Sequence, residues 1–256
     1  MSVRAWISER HSLPVEAAAA LGLYALYEAG RGLVAGSAAD AVHRAHEIAH
    51  VERTLHVFDE AGIQRAAHAV PGLVGVLGTS YLTPHLAVTG GLLLWLHRRR
   101  PHLFPVVRTT LLAASALSLI GFVFLPTAPP RLAGIGIADT ISTGAVSLNK
   151  GLVSALYNPF AAMPSMHIGY ATIVAGALLA AGGRMRRVAA LAYPPFVLLV
   201  IVATGNHFFL DAAAGALVAA AGYVVARTVT APTRVPARVI ELPVAQPELP
   251  ARRRAA

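Results

Sequence analysis

The sequence predicts an all-α protein that crosses a membrane six times, and three observations support this fold class. Apolar residues make up 56% of the 256 residues and charged residues only 13%. In a typical soluble domain roughly 45–50% of the residues are apolar and about 25% are charged. A helix needs about 20 residues to span a bilayer, and several apolar runs in this chain are long enough to do so. These runs lack the alternation of barrel strands, so helices, which satisfy their own backbone groups, are the structure expected in a membrane.

Six apolar segments form the predicted bundle, which we treat as one membrane domain over residues 1–230. Arg4 and Arg10 precede the first segment, and no clean small-residue cleavage site follows it, so we expect a retained span rather than a removed signal peptide. The predicted spans are 14–36, 70–97, 106–125, 165–182, 188–204 and 207–228.

Arginines predict the orientation of this bundle. They cluster in the turns after the second and fourth spans and in the final segment, and such loops face the cytoplasm under the positive-inside rule. Both termini are then cytoplasmic in a bacterial-type plasma membrane, and the span ends that carry His167 and His207 face the extracytoplasmic side. Because the net charge of +9 has this membrane explanation, nucleic acid is not an expected partner.

Three segments outside the spans carry expectations of their own. Residues 38–68 place apolar side chains at helical spacing, which predicts an amphipathic helix on the outer membrane surface. Residues 126–163 form a long extracytoplasmic loop rich in Gly and Pro, and loops of this length are commonly binding loops. Residues 231–256 are basic and rich in Pro, as expected of a disordered cytoplasmic tail near anionic lipids.

Two short motifs lie at the ends of a predicted helical hairpin. Residues 163–167 read Met-Pro-Ser-Met-His, and residues 205–211 read Gly-Asn-His-Phe-Phe-Leu-Asp. His207 and Asp211 are four residues apart, so they share a helix face and the carboxylate can orient the imidazole. The hairpin between the motifs returns His167 to the same side as His207. Two histidines and an aspartate at one membrane face predict chemistry on a phosphate.

These motifs resemble those of the type 2 phosphatidic acid phosphatase superfamily, and they are most similar to its inositol phosphorylceramide synthase-like branch. Residues 125–131 and 158–162 resemble further blocks of that branch. The resemblance implies that His207 attacks phosphorus, that Asp211 orients it, and that His167 acts as acid and then base. It also implies membrane lipids as surroundings, a lipid phosphate as substrate, a polyol or sugar acceptor if the group is transferred, and neither metal nor cofactor.

The phosphate-binding part departs from the wider superfamily. The Lys-x6-Arg-Pro and Ser-Arg-x5-His motifs, whose basic residues grip the phosphate there, are absent. Arg131 is our first candidate for that role, and Lys150 is the second. Ser165 stands where a helix should begin, so that amides near it can point at phosphate oxygens. Asn206 is a further candidate phosphate ligand, although capping of the sixth span is the role expected first.

Two other classes of function stay open at this stage. His46, Glu47 and His50 fit the HExxH pattern of zinc proteases, which puts two metal ligands on one helix face with a general base between them. Pro84 and the two glycines at 90–91 would suit a broken helix in a transporter. Within the phosphatase interpretation, hydrolysis and head-group transfer also stay open, because both proceed through the same histidines.

Overall fold

The computed structural model describes residues 9–33, 37–82, 84–140 and 158–230, and its regular structure within them is helical apart from one bridge between Thr127 and Ala161. The predicted all-α class is therefore confirmed. A 3₁₀ turn covers Pro130–Leu132. The α-helices of the described residues are α1 (Leu13–Leu33), α2 (Ala38–Thr54), α3 (Glu60–His68), α4 (Leu73–Leu82), α5 (Pro84–Arg99), α6 (Phe104–Phe124), α7 (Met166–Ala181), α8 (Arg184–Ala203) and α9 (Phe209–Thr230).

Three of these helices, α6, α8 and α9, are long and apolar enough to cross a membrane. They indicate an integral membrane protein and match the third, fifth and sixth predicted spans. The fourth span corresponds to α7, which is apolar but has only 16 residues. The first corresponds to α1, whose sequence includes Glu16, Glu28 and Arg31. Six spans are therefore a prediction that the described helices support only in part.

The second predicted span covers two described helices. Residues 70–97 contain the whole of α4 and most of α5, which begins at Pro84. Residue 83, which stands between them, lies outside the described residues. The apolar run is therefore helical on both sides of residue 83, and a single continuous span there stays a prediction.

The predicted amphipathic helix over 38–68 is also two helices, α2 and α3. They are separated at His56, whose φ of 58° is left-handed and cannot continue a right-handed helix. Leu55, expected on the apolar face, is 58% exposed. Ala45 and Ala49, also expected on that face, are buried together with Ala41, and this stripe packs against Phe208 in the bundle. This helix therefore supports the segment that carries the second motif.

The beginnings of α1 and α6 are joined by a buried ion pair. Arg108 Nη1 lies 2.5 Å from Glu16 Oε1, and both side chains are almost completely buried. Arg108 lies within α6 and not in the preceding loop, so the predicted orientation depends on the other arginines and stays a prediction. The basic charge is neutralised inside the bundle instead of facing water.

Candidate active site

The two sequence motifs meet where α7 and α9 begin. The Ser165 amide donates to the Asp211 carbonyl oxygen at 2.9 Å. The helices can approach this closely because Gly215 has no side chain: a Cβ there would lie 2.0 Å from the Ser165 carbonyl oxygen. The imidazoles of His167 and His207 lie 5.6 Å apart between ring centroids. The prediction that the hairpin brings the two histidines together is therefore in agreement with the structure.

His207 and Asp211 form a buried but loose pair. Nδ1 of His207 lies 3.4 Å from Oδ2 of Asp211, and the two side chains are 5% and 0% exposed. This is an ion-pair distance, yet Nδ1 has no partner in hydrogen-bond geometry, nor does Oδ1 of Asp211. Oδ2 accepts the Phe208 amide at 3.0 Å. The carboxylate is thus held by the start of α9 and directed at the Nδ1 side of the ring, which leaves Nε2 as the nitrogen for chemistry.

His167, in the first turn of α7, is held by α4 through Tyr81. The two rings stack with centroids 4.3 Å apart and an angle of 21°, and Nε2 of His167 lies 3.3 Å from the Tyr81 carbonyl oxygen. His167 is half-buried, whereas His207 is buried. The more exposed histidine is the one that can exchange protons with water. The role of Tyr81 was not predicted.

Arg131 lies against the turn that leads into His207. Its amide donates to the Gly205 carbonyl oxygen at 2.9 Å, and its side chain donates from Nε to Asn206 Oδ1 at 3.0 Å and from Nη1 to Asp139 at 2.9 Å. Gly205 has a φ of +67°, and a Cβ there would lie 2.7 Å from Ile137, so only glycine suits this turn. A buried guanidinium beside the second motif is the arrangement expected of a phosphate clamp.

Asn206 does not cap α9, contrary to the role expected first. Its Oδ1 accepts from Arg131, and its Nδ2 donates to Thr204 Oγ1 at 2.8 Å. The residue is 2% exposed. Asn206 therefore orients the guanidinium, and its amide is already engaged on both sides.

Ser165 is the residue that precedes α7, as the sequence predicted. It is completely buried, its Oγ has no hydrogen-bond partner, and it makes no side-chain bond to the start of the helix. A buried hydroxyl without a partner is costly, so its occurrence beside the two histidines favours a role in binding. Lys150, the other candidate, lies outside the described residues.

Two glutamates that were not predicted reach the same place from α2 and α3. Glu52 accepts the Leu210 amide at 2.7 Å, and Glu60 accepts the Phe209 amide at 3.3 Å. Both are 0% exposed. A signal was present in the sequence, because positions 41, 45, 49 and 52 fall on one helical stripe, and Glu52 is the charged member of that otherwise apolar stripe.

The HExxH segment has a different environment. His46, Glu47 and His50 are all exposed on α2, and Glu47 pairs with His43 at 3.3 Å. Among the described residues, His, Cys, Asp and Glu form no group of three that could hold a metal ion. This arrangement is that of a solvated helix face.

The fold and the site together define a class: a membrane protein whose buried histidines, aspartate and arginine are suited to phosphoryl chemistry. Comparison with protein-family models finds that residues 46–225, well over half of the chain, match the PAP2 superfamily. The chain belongs to this superfamily and is a phosphatase-type enzyme, with the lipid phosphate phosphatase or phosphotransferase activity that membership implies. Comparison with curated proteins and with solved structures found no match.

Proposed function

We propose that this enzyme cleaves or transfers the phosphoryl-linked group of a lipid phosphate through a phosphohistidine on His207, at the extracytoplasmic face. The observation that carries the proposal is the convergence of His167, the His207–Asp211 pair and Arg131 at the start of α7 and α9. Arg131, His167 and the His207–Asp211 pair come from three separate parts of the chain, and a purely structural histidine would not need the other three residues.

In the first step, Nε2 of His207 attacks phosphorus and the ester P–O bond breaks. The leaving oxygen takes a proton from His167, since an imidazole is the side chain that most often acts as a general acid. Asp211 stabilises the positive charge that develops on the phosphorylated ring and keeps Nδ1 directed toward itself. The 3.4 Å separation shortens as that charge forms, because the attraction between the groups increases.

In the second step, water or an alcohol loses its proton to His167 and attacks phosphorus, and the P–N bond breaks. Water gives hydrolysis and releases phosphate. An alcohol such as inositol gives transfer, which is the outcome that the resemblance of residues 163–167 and 205–211 to the inositol phosphorylceramide synthase-like branch favours. The choice depends on which acceptor reaches the half-buried His167.

Arg131 neutralises the phosphate oxygens in this proposal, and Asn206 holds its guanidinium in position. Ser165 supplies a hydroxyl that has no other partner, and the amides at the start of α7 favour an anion through the helix dipole. Lys150 is kept as a second cationic candidate. The pairing of Arg131 with Asp139, whose side chain is 26% exposed, supports this role, because a carboxylate is itself an oxyanion.

The lipid substrate and the outer face rest on separate arguments. Helix α7, which carries His167, and helix α9, which begins two residues after His207, are apolar along most of their length, so a substrate with a hydrocarbon part can approach from the bilayer. The arginines at 184, 186 and 187 lie at the opposite end of α7 from His167, and the positive-inside rule assigns that end to the cytoplasm.

The test is phosphate release from a panel of lipid phosphates and pyrophosphates, in detergent with a chelator present. The wild type is compared with His167→Ala, His207→Ala and Asp211→Ala, with and without inositol. We expect chelator-resistant turnover that each of the three changes abolishes. Release without inositol identifies hydrolysis, and a product formed only with inositol identifies transfer.

Trapping the intermediate makes the test specific for His207. A substrate labelled in its phosphoryl group, quenched in alkali, should leave label on the wild type and on His167→Ala but not on His207→Ala. Full turnover by His207→Ala would contradict the proposal. Activity lost on zinc removal would favour the HExxH motif, and transport that survives all three changes would favour a transporter.

A further inference from the structure

The first turn of α9 is held by carboxylates from three different helices. Three successive amides at this helix start each donate to the carboxyl group of an acidic residue, so that three of the four amides left unpaired at a helix N-terminus are satisfied by acidic side chains here. The pairs are Phe208 with Asp211 at 3.0 Å, Phe209 with Glu60 at 3.3 Å and Leu210 with Glu52 at 2.7 Å.

A helix start does not require this solution. A Ser, Thr or Asn cap or simple exposure to water would satisfy the same amides, whereas burying a carboxyl carries a large desolvation cost. Glu52 and Glu60 are nevertheless both 0% exposed. Their bonds go to the two residues immediately before Asp211, so they fix the part of the backbone from which the Asp211 side chain projects toward His207.

We propose that Glu52 and Glu60 are positioning residues for the phosphoryl-transfer reaction, which hold the first turn of α9 so that Asp211 faces Nδ1 of His207. This inference rests on the proposed function for its catalytic meaning. Its structural part, that the two glutamates immobilise the amides of Phe209 and Leu210, stands independently of the reaction.

The two glutamates also act on each other. Each keeps one oxygen, Oε2, with no hydrogen-bond partner. The pKa of Glu52 is raised from 4.5 to about 9, first by burial and then by interaction with the Glu60 carboxyl; repulsion from Asp211 adds a smaller part, and the bond from the Leu210 amide acts in the opposite direction. One proton shared between the two Oε2 atoms would satisfy both. A glutamine in place of either residue reproduces that state, with a carbonyl oxygen for α9 and an N–H for the partner.

The arrangement has a consequence for substrate binding. Because carboxylates already occupy the start of α9, a phosphate cannot use those amides without displacing a like-charged group. The start of α7 beside Ser165, together with Arg131, is left as the anion-binding side. Glu52 and Glu60 therefore give the two helix starts different roles: the start of α9 holds Asp211, and the start of α7 faces the substrate.

The test uses the full-length protein in detergent and two readouts, with Asp59→Asn as the matched control. Asp59 is an exposed acid beside Glu60 that makes no side-chain capping bond. The first readout is amide hydrogen exchange over residues 205–212. We expect faster exchange at Phe209 and Leu210 in Glu52→Ala, and exchange close to wild type in Glu52→Gln and Asp59→Asn.

The second readout is steady-state turnover of dioctanoyl phosphatidic acid. We expect kcat to fall on the order of 100-fold in Glu52→Ala with little change in KM, as for other displacements of a catalytic group, and Glu52→Gln to restore it. If Glu52→Ala does not fold, Glu60→Ala replaces it, because its bond to α9 is longer. Unchanged exchange in both alanine variants, or a kcat that glutamine fails to restore, overturns the inference.

The outcomes for the two proposals can be told apart. If His207→Ala is fully active while exchange at 209–210 still depends on Glu52, the phosphohistidine mechanism fails, and so does the catalytic role of the glutamates. If His207→Ala is inactive and Glu52→Ala behaves as the wild type in both readouts, only the positioning inference fails.

Discussion

The two ends of α6 carry buried polar clusters of opposite character. Near its start, Arg108 meets Glu16 at 2.5 Å, and Glu16 also accepts the His11 amide at 3.0 Å. Beyond its end, His207 and Asp211 stand 3.4 Å apart without a hydrogen bond. Glu52 and Glu60 add two more carboxyls to this second cluster.

The difference between the clusters separates a structural role from a reactive one. A short pair of opposite charges is already near its best geometry, so it can stabilise the bundle and do little else. A pair whose facing atoms lie 3.4 Å apart without a hydrogen bond has free energy left to gain when charge develops on the imidazole. The following changes test this distinction, beginning with the largest expected effect.

Asp211→Asn should abolish most activity while leaving the fold intact. The amide oxygen can still accept from the Phe208 amide, but the side chain no longer stabilises a positive imidazole, and kcat should fall on the order of 10⁴-fold. Phosphate release and the thermal unfolding midpoint are measured together. Near-normal turnover in this variant would mean that His207 does not depend on the carboxylate.

Arg108→Met should act on stability instead. Removing one partner leaves Glu16 buried and unpaired, which costs about 3–5 kcal/mol. The double change Glu16→Met with Arg108→Met should recover much of that loss, since no uncompensated charge remains. Denaturant unfolding in detergent measures both, and the folded fraction should keep the wild-type kcat. A reduced kcat in correctly folded protein would mean that residues near the start of α6 also contribute to catalysis.

Arg131→Lys should give an intermediate effect on catalysis. Lysine keeps the charge but cannot bond Asn206 and Asp139 through one planar fork. Loss of a hydrogen bond to a charged group costs about 1.5–3 kcal/mol, so kcat/KM should fall roughly tenfold to a hundredfold. Arg227→Lys, in the exposed last turn of α9, is the matched control. Equal effects of the two substitutions on kcat/KM would mean that Arg131 does not bind the phosphate.

The smallest predicted effect is a pH dependence of stability. Because the pKa of Glu52 is raised from 4.5 to about 9, the folded protein keeps a proton that the unfolded chain releases between those values. Stability therefore falls as the pH rises through that window. Glu52→Gln removes this proton, so its melting temperature relative to wild type should rise between about pH 5 and about pH 8.5. A difference that does not change with pH would mean that Glu52 is ionised in the folded protein.

The features predicted well from the sequence are local ones. The span placed at 106–125 corresponds to Phe104–Phe124, and the span at 207–228 corresponds to Phe209–Thr230. Long apolar runs favour a helix whatever surrounds them, and an i,i+4 pair such as His207 and Asp211 needs only one helix turn to meet. The break at His56 was missed because hydropathy averaged over a window does not register a local change of backbone.

The residues that support the site could not be predicted from the sequence, because they are distant along the chain from the groups they contact. Glu52 lies 158 residues from Leu210, and Glu60 lies 149 residues from Phe209. Glu52 could have been suspected from its place on an apolar stripe, but no pattern in the chain says which helix start that stripe will meet. Arg131 was proposed from composition, whereas its contact with Asn206 depends on how the loop after α6 folds back.

By itself, the sequence determined the helical membrane class, the histidine–aspartate motif and the resemblance to the phosphatidic acid phosphatase superfamily, which the family match supports without distinguishing a branch. These depend on hydrophobicity and short spacings, which act within a helix or a few turns. Tertiary structure alone decided that α2 and α3 pack on the bundle, that Tyr81 stacks on His167, and that two buried glutamates hold the start of α9. Those contacts join segments remote in the chain, and their free energies depend on a packing geometry that no local pattern specifies.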